Sequence, residues 1–286
     1  MKESRIITKL KDLVLWLALR IFGRNINLAT KWNQLTELQI CEISAALDHF
    51  HKFRDCHPPE FQPAHYSRLY VNLVKNLLRT NNFIKVWIAL RQIPPDTYKE
   101  HVGFLISEIA RTKFLPEFEF KNKLYFPPAD RLQNLTIKEF SFVDSLYFNW
   151  RKTNDNRYLD MLFASLYRPA GTSSKENDPR RSFDKYFIEQ DVLNLMDIPT
   201  KKKIAVAYCY EGSRNYIVKQ YPHVFPKPPK QDPKDKVKPA QYTPFGKLLH
   251  FKIQFDPSKL ESTQNLNVHD FFGPYENELI EMKNKK

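Results

Sequence analysis

The sequence predicts a mainly α-helical protein, made of antiparallel helical hairpins or a bundle, with at most a small β-hairpin and an extended Pro/Lys-rich segment. Three observations carry that expectation. Two threonines each follow a leucine and stand three residues before a Gln or Glu, the arrangement of a capped helix start. Apolar residues between 140 and 166 recur at spacings of three and four. Only six glycines occur in 286 residues, whereas seven of the twenty prolines crowd into 222–244.

At the amino terminus, Lys9 and Lys11 precede Leu13-Val-Leu-Trp-Leu-Ala-Leu19. The run resembles the charged and apolar parts of a signal peptide, yet Arg20 interrupts it and no small-x-small cleavage site follows. It is also shorter than the roughly 20 apolar residues of a membrane span. Residues 1–30 therefore read as a basic amphipathic helix packed on a partner or on the core. A membrane-surface helix and a cleaved signal are the alternatives that the residues leave open.

Residues 31–221 form the expected helical core domain. Thr36 with Gln39, and Thr136 with Glu139, have the spacing of a capping box. Leu35 with Ile40, and Leu135 with Phe140, have that of a hydrophobic staple. Tyr66–Leu78, Phe83–Leu90 and His101–Arg111 carry helical periods, broken at Ile93-Pro-Pro95. The segment Phe114–Phe126 alternates instead, with Phe118, Phe120, Leu124 and Phe126 among Glu117, Glu119, Lys121 and Lys123. It predicts a hairpin turning at Lys121-Asn-Lys123. After Thr136, Phe140, Val143, Tyr147 and Trp150 make one stripe that closes at Arg151-Lys152. Thr153-Asn-Asp-Asn156 is a turn, and Leu159, Leu162, Phe163 and Leu166 make a second stripe that stops at Pro169. So short a polar link forces two helices antiparallel, and 136–168 is an αα-hairpin. Phe183–Met196 and Lys201–Lys219 also read as helices.

Residues 222–244 hold seven prolines and five lysines with no apolar period, an extended linker or surface strap. Residues 245–286 are expected as a small appendage, with a strand over Leu249–Phe255 and short helices over Val268–Phe272 and Tyr275–Met282.

The search for chemistry excludes more than it finds. No two glycines lie closer than Gly246 and Gly273. Dinucleotide fingerprints, phosphate loops and nucleophile elbows need two or more within about six residues. Cys41, Cys56 and Cys209 form no C-x-x-C pair and suit a reducing compartment. His49, His51, Cys56 and His57, near Cys41, lack the paired spacing of a zinc site and read as surface and cap residues. Glu117 and Glu119 read as a solvated strand face rather than an acid/base pair. No catalytic, cofactor-binding or metal-binding residue is expected, and no cofactor.

Forty-five Lys and Arg against thirty-two Asp and Glu leave a net charge of +13. Cations gather at 2–24, 151–181 and 201–238 beside Tyr158, Tyr167, Tyr186, Tyr208, Tyr210 and Tyr216. Rings amid basic residues suit nucleic acid, but these tyrosines fall at helical spacing and read more simply as core. Electrostatic steering toward an acidic protein accounts for the same charge. The interaction candidates are Trp16, Arg20, Arg151, Arg168, Arg180, Arg181, Lys227 and Lys230, with Arg168 expected partly exposed at a helix end.

Five segments recur together in a known group: Trp32-Asn-Gln-Leu-Thr36, Phe126-Pro-Pro-Ala-Asp-Arg-Leu-Gln-Asn-Leu-Thr136 with Phe140, Asp144-Ser-Leu-Tyr147, Tyr158-Leu-Asp-Met-Leu-Phe-Ala-Ser-Leu-Tyr-Arg-Pro169, and Tyr210-Glu-Gly-Ser-Arg-Asn215. Over about 30–225 the chain resembles proteins encoded in phage and prophage gene clusters of Bacteroidota and associated with tail morphogenesis. The resemblance implies a non-enzymatic virion or tail-assembly protein, chaperone-like, working in the bacterial cytoplasm or carried in the virion. Its partners would be tail or other virion proteins, with no membrane partner expected. The basic helix 5–22 and the Pro/Lys segment depart from the group. A basic nucleic-acid-binding protein is the alternative function.

Overall fold

The computed structural model describes residues 28–56, 62–79, 83, 86–87, 97–171, 178–226, 249, 252–253 and 256–285. The chain is mainly helical, with one small three-stranded antiparallel sheet. It divides into two compact units between Ile109 and Ala110. That boundary falls inside the stretch 31–221 expected as one core domain.

In the first unit a short 3₁₀ turn, Trp32–Gln34, leads into α1 (Glu37–Cys56), followed by α2 (Gln62–Leu78) and α3 (Tyr98–Ser107). The predicted box starts α1: Thr36 N–H donates to Gln39 Oε1 (2.9 Å), and Gln39 N–H donates to Thr36 Oγ1 (3.3 Å). Gln39 also donates to the Leu77 carbonyl at 2.6 Å, while Phe50 meets Tyr66 at 4.6 Å. These pairs run in opposite directions along the two chains, so α1 and α2 are antiparallel. Ile40, Ile43, Leu47, Leu73 and Leu77 are buried within this unit. The helix expected to run to Arg111 ends at Ser107, and Glu108 is extended. The Trp32 indole N–H bridges the Phe104 and Glu108 carbonyls (2.9 and 2.8 Å), satisfying acceptors left open at that terminus.

The second unit opens with the hairpin β1 (Phe118–Phe120) and β2 (Lys123–Phe126); β3 (Arg168–Pro169) adds to β2. Lys121 and Asn122 both have positive φ (49° and 59°), the two-residue turn that matches strand twist. This turn sets Phe118 opposite Tyr125. Tyr125 is therefore buried, and Leu124, expected to share a face with Phe118, is exposed instead. The sequence alternation had the right period, but turn length decided which partner entered the core.

The αα-hairpin forms as expected from α4 (Ile137–Thr153) and α5 (Asn156–Leu166). The Thr136–Glu139 box closes reciprocally, at 2.9 and 3.2 Å, and Asn154 ends α4 in the left-handed conformation. Then come α6 (Lys185–Asn194) and α7 (Thr200–Gln220). Every residue from Lys203 to Tyr210 on α7 is buried, as befits a central helix. Burial pushes the Cys209 thiol up to about 11, leaving it protonated and inert at neutral pH.

The described residues of the carboxy-terminal stretch pack against α4. Leu249 and Ile253 make a helical turn, Ile253 N–H donating to the Leu249 carbonyl at 3.1 Å, where a strand was expected. Both are buried, a spacing of four that puts two residues on one face of a helix and of a strand alike. After α8 (Leu260–Gln264), the two expected short helices are one, α9 (Val268–Asn284), which continues through Pro274. Thr136 and Asn267 bridge antiparallel, and Phe272 meets Phe140 at 5.9 Å within the core. Glu276 accepts from the backbone N–H groups of His223 and Val224 (3.0 and 2.9 Å) and pairs with His223 Nδ1 at 2.6 Å.

Burial alone would raise the Glu276 carboxyl, but these donors outweigh it and hold the group below the usual glutamate range. The latch thus contributes stability in full above about pH 4.3, the unfolded value. That contribution disappears as pH falls through the depressed folded value. The melting-temperature gap between wild type and Glu276→Gln is expected to be largest near pH 7 and to narrow toward pH 3, as measured by circular dichroism.

Candidate interaction face

Asp184 caps α6 by accepting from Tyr186 N–H at 2.9 Å. One side of α6 buries Ile188, Asp191 and, just beyond its end, Leu195. Burial pushes the Asp191 carboxyl up, and Arg181 at 2.6 Å opposes that shift. The other side carries large apolar residues beside Glu189 and Gln190, all exposed among the described residues. Tyr186 is 64% exposed, Leu193 68% and Met196 59%. Tyr186 and Leu193 lie seven residues apart, two helical turns or about 10.5 Å, and Met196 is exposed in the turn beyond the helix end. Phe187, over the Arg181 guanidinium at 4.4 Å, flanks it. Exposed apolar residues scattered singly are ordinary, but a row of large ones on one helix marks a contact surface. Aromatic anchors with a polar rim, here Lys185, Glu189 and Gln190, have the composition of interface centres.

The arginines expected at the interface lie elsewhere. Arg168 is 2% exposed and pairs with Glu139 of α4 at 2.6 Å. Burial pushes its guanidinium below the ordinary arginine value, with Glu139 opposing and nearby Arg180 adding to the shift. Arg180 is equally buried, held at two points by Asp178 (2.9 and 2.7 Å) and donating to the Leu166 carbonyl. Both are corrected from interface residues to core ones: β3 pairs with β2, which turns the end of the αα-hairpin inward. Arg151 is a quarter exposed and spans Tyr147, Trp150 and Tyr208 while pairing with Glu211 at 2.6 Å. Burial lowers its affinity for the proton, but Tyr147, Glu211 and Tyr208 raise it further than burial lowers it. Trp16, Arg20, Lys227 and Lys230 lie outside the described residues.

Among the tyrosines read as core, Tyr167, Tyr208 and Tyr210 are buried, whereas Tyr186 is the exposed anchor. Sequence reasoning missed Leu193 and Met196 because Ile188 and Leu195 supply the same helix with an equally plausible apolar side. The signal was present in the Tyr186–Leu193 spacing, opposite Ile188–Leu195.

Among the described residues, no group of three or more His, Cys, Asp or Glu is placed to hold a metal ion. Among them too, no helix is long and apolar enough to cross a membrane. No protein-family model, curated protein or solved structure matches the chain.

Proposed function

We propose that the protein is a non-enzymatic assembly factor for phage or prophage tails, acting by protein–protein contact through the outer face of α6. The observation that carries this reading is the pair Tyr186 and Leu193, more than half exposed on a helix whose other side is locked into the core, with Met196 equally exposed in the turn that follows. The resemblance over 30–225 supplies the class of partner, a tail or virion subunit met in the host cytoplasm or in the particle. The buried, paired state of Arg168 and Arg180 supports hydrophobic docking over charge-led docking at this end of the chain.

The test is a double variant, Tyr186→Ser with Leu193→Ser, co-expressed with the tail subunits of a phage that encodes the protein. Exposed sites lose little stability, within about 0.5 kcal/mol, so the fold is expected to persist. Affinity for the partner subunit is expected to fall about tenfold or more, each anchor being worth roughly 1–2 kcal/mol. Wild-type co-elution by the variant would refute the assignment of α6. The net charge of +13 supports the second reading, nucleic-acid binding. That reading requires an oligonucleotide complex whose affinity collapses between low and physiological salt.

A further inference from the structure

We propose that the first unit carries a second, separate docking site, the recess between α1 and α2, and that it takes an acidic amphipathic segment of another protein. The recess has a volume of about 240 Å³, with Phe50, Phe53 and Leu69 on its apolar side and His49, His65 and Arg68 at its polar edge. A more open recess of about 350 Å³ shares Arg68 and Asn72 and runs on to Lys75.

Charge chooses the sign of the occupant. Helix α2 contains no Asp or Glu. Elsewhere on these helices Lys52 pairs with Asp48 at 2.9 Å and Arg79 with Glu42 at 3.1 Å. Arg68 and Lys75 are exposed and have no carboxylate partner among the described residues. They stand seven residues apart with Asn72 between them, one stripe with charges about 10.5 Å apart along the axis. Carboxylates two turns apart on a helix laid alongside would meet both.

Size and ring geometry choose the class. Cofactor and nucleotide sites run to about 300–1,000 Å³, so the more enclosed recess is too small for them and suits a single anchoring side chain. The rings that would otherwise stack on bases are already engaged by neighbours: Phe53 is stacked on His65 at 3.7 Å, and Phe50 packs tilted against Tyr66 at 4.6 Å. That favours a peptide over single-stranded nucleic acid. The occupant comes from another molecule, because the chain's own segments 1–27 and 227–248 carry more Lys and Arg than Asp and Glu.

The probe is a fluorescein-labelled helical peptide with two glutamates seven residues apart and one leucine between them, followed by anisotropy on the full chain. Arg68→Glu with Lys75→Glu is expected to weaken binding about tenfold or more, while Arg68→Lys retains most of it. The leucine-to-alanine peptide is expected to lose affinity comparably. Circular dichroism of the charge-reversal variant should match wild type, since both side chains are exposed. Equal binding of a peptide with glutamine for glutamate, or no binding by wild type, would overturn the proposal. Tighter binding of a poly-dT oligonucleotide, lost in the same variant, would also overturn it. The Tyr186→Ser, Leu193→Ser variant should bind the peptide normally, so failure here and failure of the α6 assignment read out separately.

Discussion

Alanine at Gly212 is expected to destabilise the second unit by about 3 kcal/mol or more, at the upper end of overpacking costs. Gly212 lies mid-way along the buried α7, where a Cβ would stand 2.2 Å from the Arg111 carbonyl oxygen and 2.5 Å from its amide nitrogen. Such contacts are far inside van der Waals range, and both partners are backbone, so no rotamer change relieves them. Ser213, next in line, donates to the Thr112 carbonyl at 3.2 Å and fixes the same two chains together. Against a typical total of about 5–15 kcal/mol, the loss should move the urea midpoint strongly. Gly103→Ala is the control. It sits in α3 with nothing within 4 Å of its Cβ, and is expected to be neutral or stabilising by about 0.5–1 kcal/mol. Equal midpoints for the two variants would contradict the close-approach argument.

Arg168→Ala is expected to cost about 3–5 kcal/mol, the range for removing one partner of a buried ion pair. The carboxylate left behind is Glu139, 5% exposed, whose other oxygen accepts from Thr136 N–H to cap α4. Two structures therefore fail together, the pair and the helix start. Arg168→Met with Glu139→Gln should recover much of the loss. Glutamine preserves a capping acceptor, and methionine removes a guanidinium whose Nε finds no acceptor among the described residues. Urea denaturation of the single and double variants checks the order. A double variant no more stable than Arg168→Ala would show that the pair contributes more than its removal penalty.

What the sequence made legible was local. The boxes at Thr36 and Thr136, the turn at Asn154 and the stripes of α4 and α5 each depend on residues within a few positions, and each formed. Arg168 was misread because the residues that bury it are distant in sequence: β2 ends at Phe126, and Glu139 sits at the start of α4, with the rest of that helix and all of α5 in between. Tyr186 was misread because one helix offered two apolar sides and only packing on α5 chose between them. The last of the five segments singled out in the sequence has a structural role. Within Tyr210-Glu-Gly-Ser-Arg-Asn215, Tyr210 and Arg214 both bond Asp144 (2.9 and 2.7 Å), Glu211 pairs with Arg151, and Gly212 admits the Arg111 backbone. They specify a core and carry no information about the α6 surface.

The bridge between Thr136 and Asn267 joins parts of the chain that are synthesised far apart in time. Its flanking bond joins Gln133 and Asn267, residues 134 apart in the chain. At a translation rate of about 5–20 residues per second, the start of α4 is synthesised roughly 7 to 27 s before Asn267, which bridges to it. For that interval Phe140 lacks its ring contact with Phe272. Late-arriving contacts of this separation slow folding, so yield in cells should depend on what shields that ring while the ribosome finishes.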